Sequence, residues 1–273
     1  MNDMILILNY SDEFAVEAAR RLRGEQVFCK IISGMTTAAQ IAQAAPRGIV
    51  LCGEPQSAAG VFDAEILKLG IPVLALGHAA HMLITAMGGA CAGTAISHRK
   101  ASVQYAECRL FSGVEAGERY IQEAMTLMLP ADVQVTAGAG GCTIAFADDR
   151  RSLFGIQFEL ERNDPDGSTI LKNFARDICG CMPWFTMDAA LAGARRMLAD
   201  ASIEGGFAVC GVSGGVDSAV AAVLAHQAFG ERMTAIYVET GLMREGESAA
   251  VQETFERLGI PLRVADRAES VLA

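Results

Sequence analysis

The sequence predicts an α/β chain made of two successive parallel-sheet units. Three observations predict it. Apolar runs of strand length alternate with helical periods through the first third of the chain. Periodicity breaks at residues 179–188, around Gly180, Pro183 and the only tryptophan, Trp184. Beyond the break, a glycine-rich turn joins an apolar strand pattern to an apolar helix pattern at residues 213–218. Strands alternating with helices imply a parallel sheet covered on both faces.

In the first unit, residues 4–8 read as a strand, and a helix follows to about Arg23, with Ser11 as its cap. A strand at 27–32, a short helix at 37–44 and a strand at 48–51 come next. Residues 61–69 read as a helix, 72–76 as a strand, and 78–87 as a helix. Residues 70–96 hold no Asp, Glu, Lys or Arg, which is long enough to raise a membrane span. Pro72, His78, His81 and the Gly88-Gly89 pair divide that stretch into strand, turn and helix, so a buried α/β segment is expected instead. Strands at 133–136, 142–147 and 153–158 and a helix at 168–178 close the unit. The expected division is 1–180 for the first domain, 181–200 for a linker with its helix, and 201–273 for the second.

The second unit opens with a helix at 187–199 and an apolar strand at 206–212. Ser213-Gly214-Gly215-Val216-Asp217-Ser218 then leads into the apolar helix pattern that begins at Ala219. A strand, a glycine turn and a helix N-terminus aim unpaired amides and the positive end of a dipole at one point, which suits a phosphate. Gly214 and Gly215 let the backbone approach closely, and the hydroxyls of Ser213 and Ser218 can donate to phosphate oxygens. Asp217 repels a bare anion, so its presence implies a bridging Mg2+. No lysine follows the glycines, so this is not the Walker pattern. A strand at 233–239, a helix at 247–258 and a strand at 261–265 continue a doubly wound sheet, whose ligands sit at the carboxyl ends of strands.

Composition narrows the partners. Of the residues, 52% are hydrophobic, enough for substantial cores, and the net charge of −10 argues against nucleic acid or an anionic membrane as partner. The eight cysteines are scattered without a CxxC pair, which fits reduced buried thiols in a cytoplasmic protein. No signal peptide pattern is visible at the start, where Asp3 precedes only a strand-length apolar run. His81 and His98 show no metal-ligand spacing and read as local polar contacts.

These motifs resemble the glutamine-hydrolysing GMP synthetases, in which a class I glutamine amidotransferase domain precedes an ATP pyrophosphatase domain (adenine nucleotide α hydrolase-like). The loop at 213–218 matches the family's SGGVDS, and Tyr237-Val-Glu-Thr-Gly-Leu-Met-Arg244 is similar to its V-D-N-G-L-L-R segment. Gly48-Ile-Val-Leu-Cys-Gly-Glu-Pro55 and Arg176-Asp-Ile-Cys-Gly-Cys181 also resemble family segments. The resemblance implies ATP and Mg2+ as ligands. Ser213, Gly214, Gly215 and Ser218 would cradle pyrophosphate, Val216 would lie within that loop, Asp217 would hold the metal, and Val238 would line the adenine. Ala219 stands where the family often has a further serine and keeps only its backbone amide. Xanthosine monophosphate (XMP) would be the acceptor only with residues beyond the equivalent of Ala273, where the family's dimer surface also lies. A partner chain or a homodimer is therefore expected.

The departures lie in the first unit. Gly77 stands where the family has its cysteine nucleophile, and Glu159 where it has the histidine base of G-x-Q-F-H-P-E. Leu160 replaces the proline, Glu161 alone is retained, and Gly53-Glu54 replaces the Gly-Gly of the oxyanion loop. A glutaminase needs a thiolate, a proton shuttle and oxyanion donors, so glutaminase activity is expected to be absent. Cys52 and His78 fall beside that site. One reading is a displaced thiol–imidazole pair; the other is a cysteine packing as a small hydrophobe and a histidine capping or hydrogen-bonding locally. The whole implies an ammonia-dependent GMP synthetase-like ligase, or else an inactive ATP-binding pseudo-amidotransferase with a regulatory role. A tRNA-modifying or NAD-forming pyrophosphatase fits the loop but not the first unit.

Overall fold

The computed structural model describes residues 3–10, 12–53, 62–158, 160, 165–203 and 205–272. The chain forms two compact units, Met1–Thr186 and Met187–Ala273.

The first unit is built on a nine-stranded sheet. Its parallel half contains β1 (Ile5–Asn9), β2 (Cys29–Ser33), β3 (Gly48–Cys52) and β4 (Val73–Leu76). The helices α1 (Asp12–Gly24), α2 (Ala38–Ala44) and α3 (Ala79–Ala86) connect or flank them. The strands β3 and β4 are apolar throughout, and β1 is so as far as Leu8, because both faces are covered. Ile5, Ile7, Val50, Cys52, Leu74 and Leu76 point to the side of α1, where Ala15, Ala18, Ala19 and Leu22 meet them. The alternate residues Leu6, Leu8, Ile49, Leu51, Val73 and Ala75 pack on the other side with Ile41 of α2 and Leu83 and Ile84 of α3. Thr37 and Gln40 form a reciprocal capping box that starts α2.

The expected strands at 133–136, 142–147 and 153–158 are present in the other half of this sheet, but the sequence did not reveal the hairpin at its edge. A long antiparallel hairpin, β5 (Ala90–Tyr105) with β6 (Gly117–Met128), occupies residues whose period is obscured by Ser, His, Arg and Lys. Only Ile96, Val103, Ile121 and Ala124 on it are fully buried, and register shifts between Ala92 and Ile96 disturb the alternation that would have marked a strand. β7 (Gln134–Ala139), β8 (Cys142–Asp148) and β9 (Leu153–Ile156) join the hairpin to the parallel strands, with the order β2-β1-β3-β4-β9-β8-β7-β5-β6. The expected parallel sheet runs from β2 to β9 and is extended by antiparallel strands beyond.

Two helical expectations also change. The segment before β4 is a 3-10 helix confined to Ala64–Leu69, capped by the Asp63 carboxylate on the Glu65 amide. The helix after β9 is α-helical as α4 (Pro165–Lys172) but widens to a π-helix over Asn173–Ile178. There the buried Asn173 amide donates to the carbonyls of Leu110 and Ser112 at 3.0 and 2.8 Å. The expected Ser11 cap lies outside the described residues.

The second unit contains α5 (Met187–Ile203), β10 (Ala208–Val212), α6 (Val216–Phe229), β11 (Met233–Glu239), α7 (Glu247–Arg257), β12 (Leu262–Asp266) and α8 (Ala268–Leu272). Its three strands are parallel in the order β10-β11-β12. Its core places Val212, Met233, Ala235 and Tyr237 against Ala222 of α6 and Val251 and Phe255 of α7.

Candidate functional sites

In the first unit, β4 ends at Leu76 and α3 begins at Ala79, so Gly77 and His78 form a strand-to-helix turn. Gly77 has φ +60°, donates to the Ile156 carbonyl at 2.8 Å and accepts from the Ala80 amide at 3.1 Å. A Cβ placed there would meet no atom within 4 Å. The turn therefore keeps the left-handed backbone and open space of a nucleophile elbow, but has no side chain to attack with. A small pocket opens on it, lined by Phe14, Glu17, Gly53, Leu76, His78 and Leu160 among others.

The chemistry of that pocket is modest. Glu17 is engaged by Arg20 at 2.8 Å and Arg21 at 2.9 Å, and the Arg20 hydrogen bonds hold its carboxyl below the usual range. His78 does not cap α3. Its Nε2–H donates across to Glu123 on β6 at 2.9 Å, and Glu123 also accepts from the Thr94 hydroxyl at 2.7 Å. The His78 hydrogen bond, then that of Thr94, lowers the Glu123 pKa. Cys52 is fully buried in the core beneath the turn, and burial pushes its thiol up to about 12. Its full burial and its raised pKa fit a cysteine packed as a small hydrophobe rather than a displaced nucleophile. Glu159 and Glu161, the expected base and acid positions, lie outside the described residues, as does Glu54.

Behind the turn, Gln157 holds a buried network that sequence reasoning missed. Its Nε2 donates to the Thr143 carbonyl at 2.7 Å and the Met125 carbonyl at 3.1 Å. Its Oε1 accepts from the Met125 amide at 2.8 Å and from His81 Nε2 at 2.5 Å. Four bonds from one side chain thus tie α3, β6 and β8 together. Burial, the largest influence, lowers the His81 pKa. His98 makes a single weak contact, Nδ1 to the Tyr120 hydroxyl at 3.4 Å. Among the described residues no group of His, Cys, Asp or Glu is arranged to hold a metal ion, and no helix is long and apolar enough to cross a membrane.

In the second unit, Ser213 follows β10 and Gly214 takes φ +84°. A Cβ on Gly214 would lie 2.8 Å from Val251 Cγ2, so only glycine fits. Gly215 is the N-cap of α6 and no side chain caps it, leaving the first-turn amides available. The Ser218 hydroxyl donates to the Gly215 carbonyl at 2.9 Å and accepts from the Ser213 amide at 3.2 Å, which sets the loop's curvature. The Ser213 and Ser218 hydroxyls stand 3.3 Å apart. Ser213, Gly214, Gly215, Val216 and Asp217 are exposed, and Ala219 donates its amide to the Gly215 carbonyl at 3.2 Å. The predicted loop residues are thus brought together in one open turn at a helix N-terminus. Val238, near the end of β11, is 45% exposed. Beside it, Glu239 accepts from the Ser248 hydroxyl and the Gly241 amide, and these bonds lower its pKa. The bond joining β11 to α7 crosses nine residues, and no motif announced it.

A family model described as NAD synthase matches residues 193–273. The GMP synthase (glutamine-hydrolysing) of Rhodopseudomonas palustris strain HaA2 is 34% identical over 289 aligned residues, covering 100% of this chain and 53% of that protein. The chain is a relative of the GMP synthases along its whole length. It spans about half the length of the curated relatives it matches. Among solved structures, a GMP synthase-type protein of Thermoplasma acidophilum matches with TM-score 0.58 and 19% identity, over 65% of this chain and 94% of that chain. A glutamine amidotransferase of Thermotoga maritima matches with TM-score 0.54 and 11% identity, over 66% and 99% respectively. At such identities the structures speak for fold alone. The chain is α/β, with an amidotransferase-like fold and an NAD synthase-type ATP pyrophosphatase region.

Proposed function

We propose that this chain is the ATP-handling part of a GMP synthetase-like ligase that takes ammonia rather than glutamine. The carrying observation is the contrast between the two turns: the 213–218 loop has its glycines, hydroxyls and free helix amides, whereas the turn at Gly77 lacks a nucleophile. In this reading Ser213, Gly214, Gly215 and Ser218 hold the phosphates of ATP, with the backbone amides of Val216 and Ala219 nearby, and Val238 lines the adenine. The exposed carboxylate of Asp217 on the first turn of α6 fits a Mg2+ bound together with the phosphates. Bound Mg2+ would neutralise charge on the departing pyrophosphate. When the residues that bind XMP are supplied, an oxygen of its base attacks the ATP α-phosphate and pyrophosphate leaves; ammonia then displaces AMP from the adenylylated intermediate to give GMP. The division of labour follows 1–180, 181–200 and 201–273. The chain's amidotransferase-like unit contributes no glutaminase.

A second reading rests on the same bare turn at Gly77, which offers no nucleophile: an ATP-binding pseudo-amidotransferase that regulates or recruits a partner. GMP formation from XMP and ATP separates the two. With ammonium present and glutamine absent, product supports the ligase. ATP binding without pyrophosphate release supports the regulatory module, and product from glutamine alone overturns both.

A further inference from the structure

A chain of polar groups joins β11 to α7 beside the loop at 213–218. Val212, the last residue of β10, pairs with Tyr237 of β11, so the loop and Glu239 leave the sheet side by side. Glu239 Oε2 accepts from the Ser248 hydroxyl, and Oε1 accepts from the Gly241 amide at 2.9 Å. An ionised carboxylate only accepts, so the Ser248 proton is committed to it. The buried Tyr237 hydroxyl, 3.2 Å from Ser248 Oγ, is therefore the donor in that contact. Tyr237, Ser248 and Glu239 thus form one directed chain in which each hydrogen bond polarises the next.

This chain holds the first turn of α7. The N-cap there is Gly246, at φ +78°, and no side chain caps the helix. Two carboxylates anchor the turn instead: Ser248 is tied to Glu239, and Glu247 Oε2 accepts from the Arg244 amide at 3.1 Å. The same turn is a wall for the glycine loop. Where a Gly214 Cβ would stand, Val251 Cγ2 is 2.8 Å away and Glu247 Oε1 is 3.8 Å away. Val251 follows Ser248 at helical spacing, on the same side of α7. A displacement of that turn therefore reaches Gly214, whose left-handed backbone aims the amides of the loop.

We propose that Ser248 is a positioning residue for the nucleotide. Through Glu239 it fixes α7, and α7 presents Val251 to Gly214, so the loop amides are arranged before a phosphate arrives. Ser248 acts through Val251 and the loop rather than on the phosphates themselves. The inference rests on the ATP reading of the loop at 213–218.

Titration calorimetry with ATP and Mg2+ on the full chain tests it, comparing Ser248→Ala, Ser248→Thr and Glu239→Gln with Thr254→Ala. Thr254 serves as the control because its hydroxyl bonds the Ala250 carbonyl within α7, at 2.8 Å. Ser248→Ala and Glu239→Gln should each weaken ATP binding by about tenfold, the scale of one hydrogen bond to a charged group. Ser248→Thr keeps the hydroxyl and should stay within about threefold of the unaltered chain. Thr254→Ala should bind as the unaltered chain does. Variants at both ends of the bond guard against one failing to fold. NMR of the ligand-free chain with isotope-labelled glycine gives a readout independent of ATP. There Ser248→Ala should move the Gly214 and Gly215 signals, and Thr254→Ala should leave them in place. Unchanged affinity in Ser248→Ala and Glu239→Gln, an equal loss in Thr254→Ala, or unmoved Gly214 and Gly215 signals would each overturn the inference. An unaltered chain that binds no ATP would remove the ATP reading, and the glycine signals alone would then decide whether Ser248 sets the loop.

Discussion

The two strand-to-helix turns invite comparison. Each follows an apolar parallel strand, places a glycine in the left-handed region and opens at the carboxyl end of its sheet. At Gly214 the glycine is required, because a Cβ would collide with Val251. At Gly77 the space for a Cβ is empty. The first turn has a left-handed backbone with room for a side chain and none present, whereas the second combines its backbone with two hydroxyls and uncapped helix amides. Backbone shape is held by the surrounding sheet, so it outlasts the residue it serves, and function must be argued from the side chains.

Gly214→Val should give the largest break in this comparison. Left-handed strain of about 1–3 kcal/mol, added to the Val251 clash, should weaken ATP binding by roughly 10–100-fold. Titration calorimetry with ATP and Mg2+ reads it directly, and unchanged affinity would place the nucleotide elsewhere.

Gln157→Leu should be the next largest effect. It strands the Thr143 and Met125 groups and His81, at a cost of roughly 3 kcal/mol. The thermal midpoint of the first unit should drop by several degrees with ATP affinity unaltered; a silent substitution would mean the network carries no net stability.

Gly77→Cys sharpens the contrast instead. The left-handed backbone costs a Cβ about 1–2 kcal/mol, but nothing obstructs it. The variant should fold, gain one thiol that reacts quickly with an aromatic disulfide reagent, and still release no ammonia from glutamine. Native Cys52 should stay unreactive. Ammonia release by the single variant would show that a base is already in place.

The smallest effect is one of pH. Burial depresses the His81 pKa, so as pH falls the unfolded chain takes up the proton before the folded one. Its contribution to stability is whole above the ordinary value of 6.5 and is lost as pH falls below it. His81→Gln should flatten the decline of the thermal midpoint between about pH 7 and about pH 5. An unchanged slope would assign the acid sensitivity to other groups.

Much of this arrangement was legible in the sequence. Short runs such as MILIL at 4–8 and GIVL at 48–51 read as strands because burial on both faces leaves no polar position, and SGGVDS read as a phosphate loop because local backbone demands fix its residue types. The β5–β6 hairpin was not legible, since its polar outward residues and register shifts conceal the period of two. His78–Glu123 and Gln157–Met125 were hidden for another reason. They join residues 45 and 32 positions apart, and only the hairpin's placement brings them together.

The central claim is that the loop at 213–218 is a working nucleotide site in a chain whose first unit is catalytically silent. Titration of ATP and Mg2+ into the full chain, beside the Ser218→Ala variant, tests it most directly. The account predicts saturable one-to-one binding that weakens on losing the Ser218 hydroxyl, which shapes the loop through Gly215 and Ser213. No binding, or binding indifferent to Ser218, would contradict it.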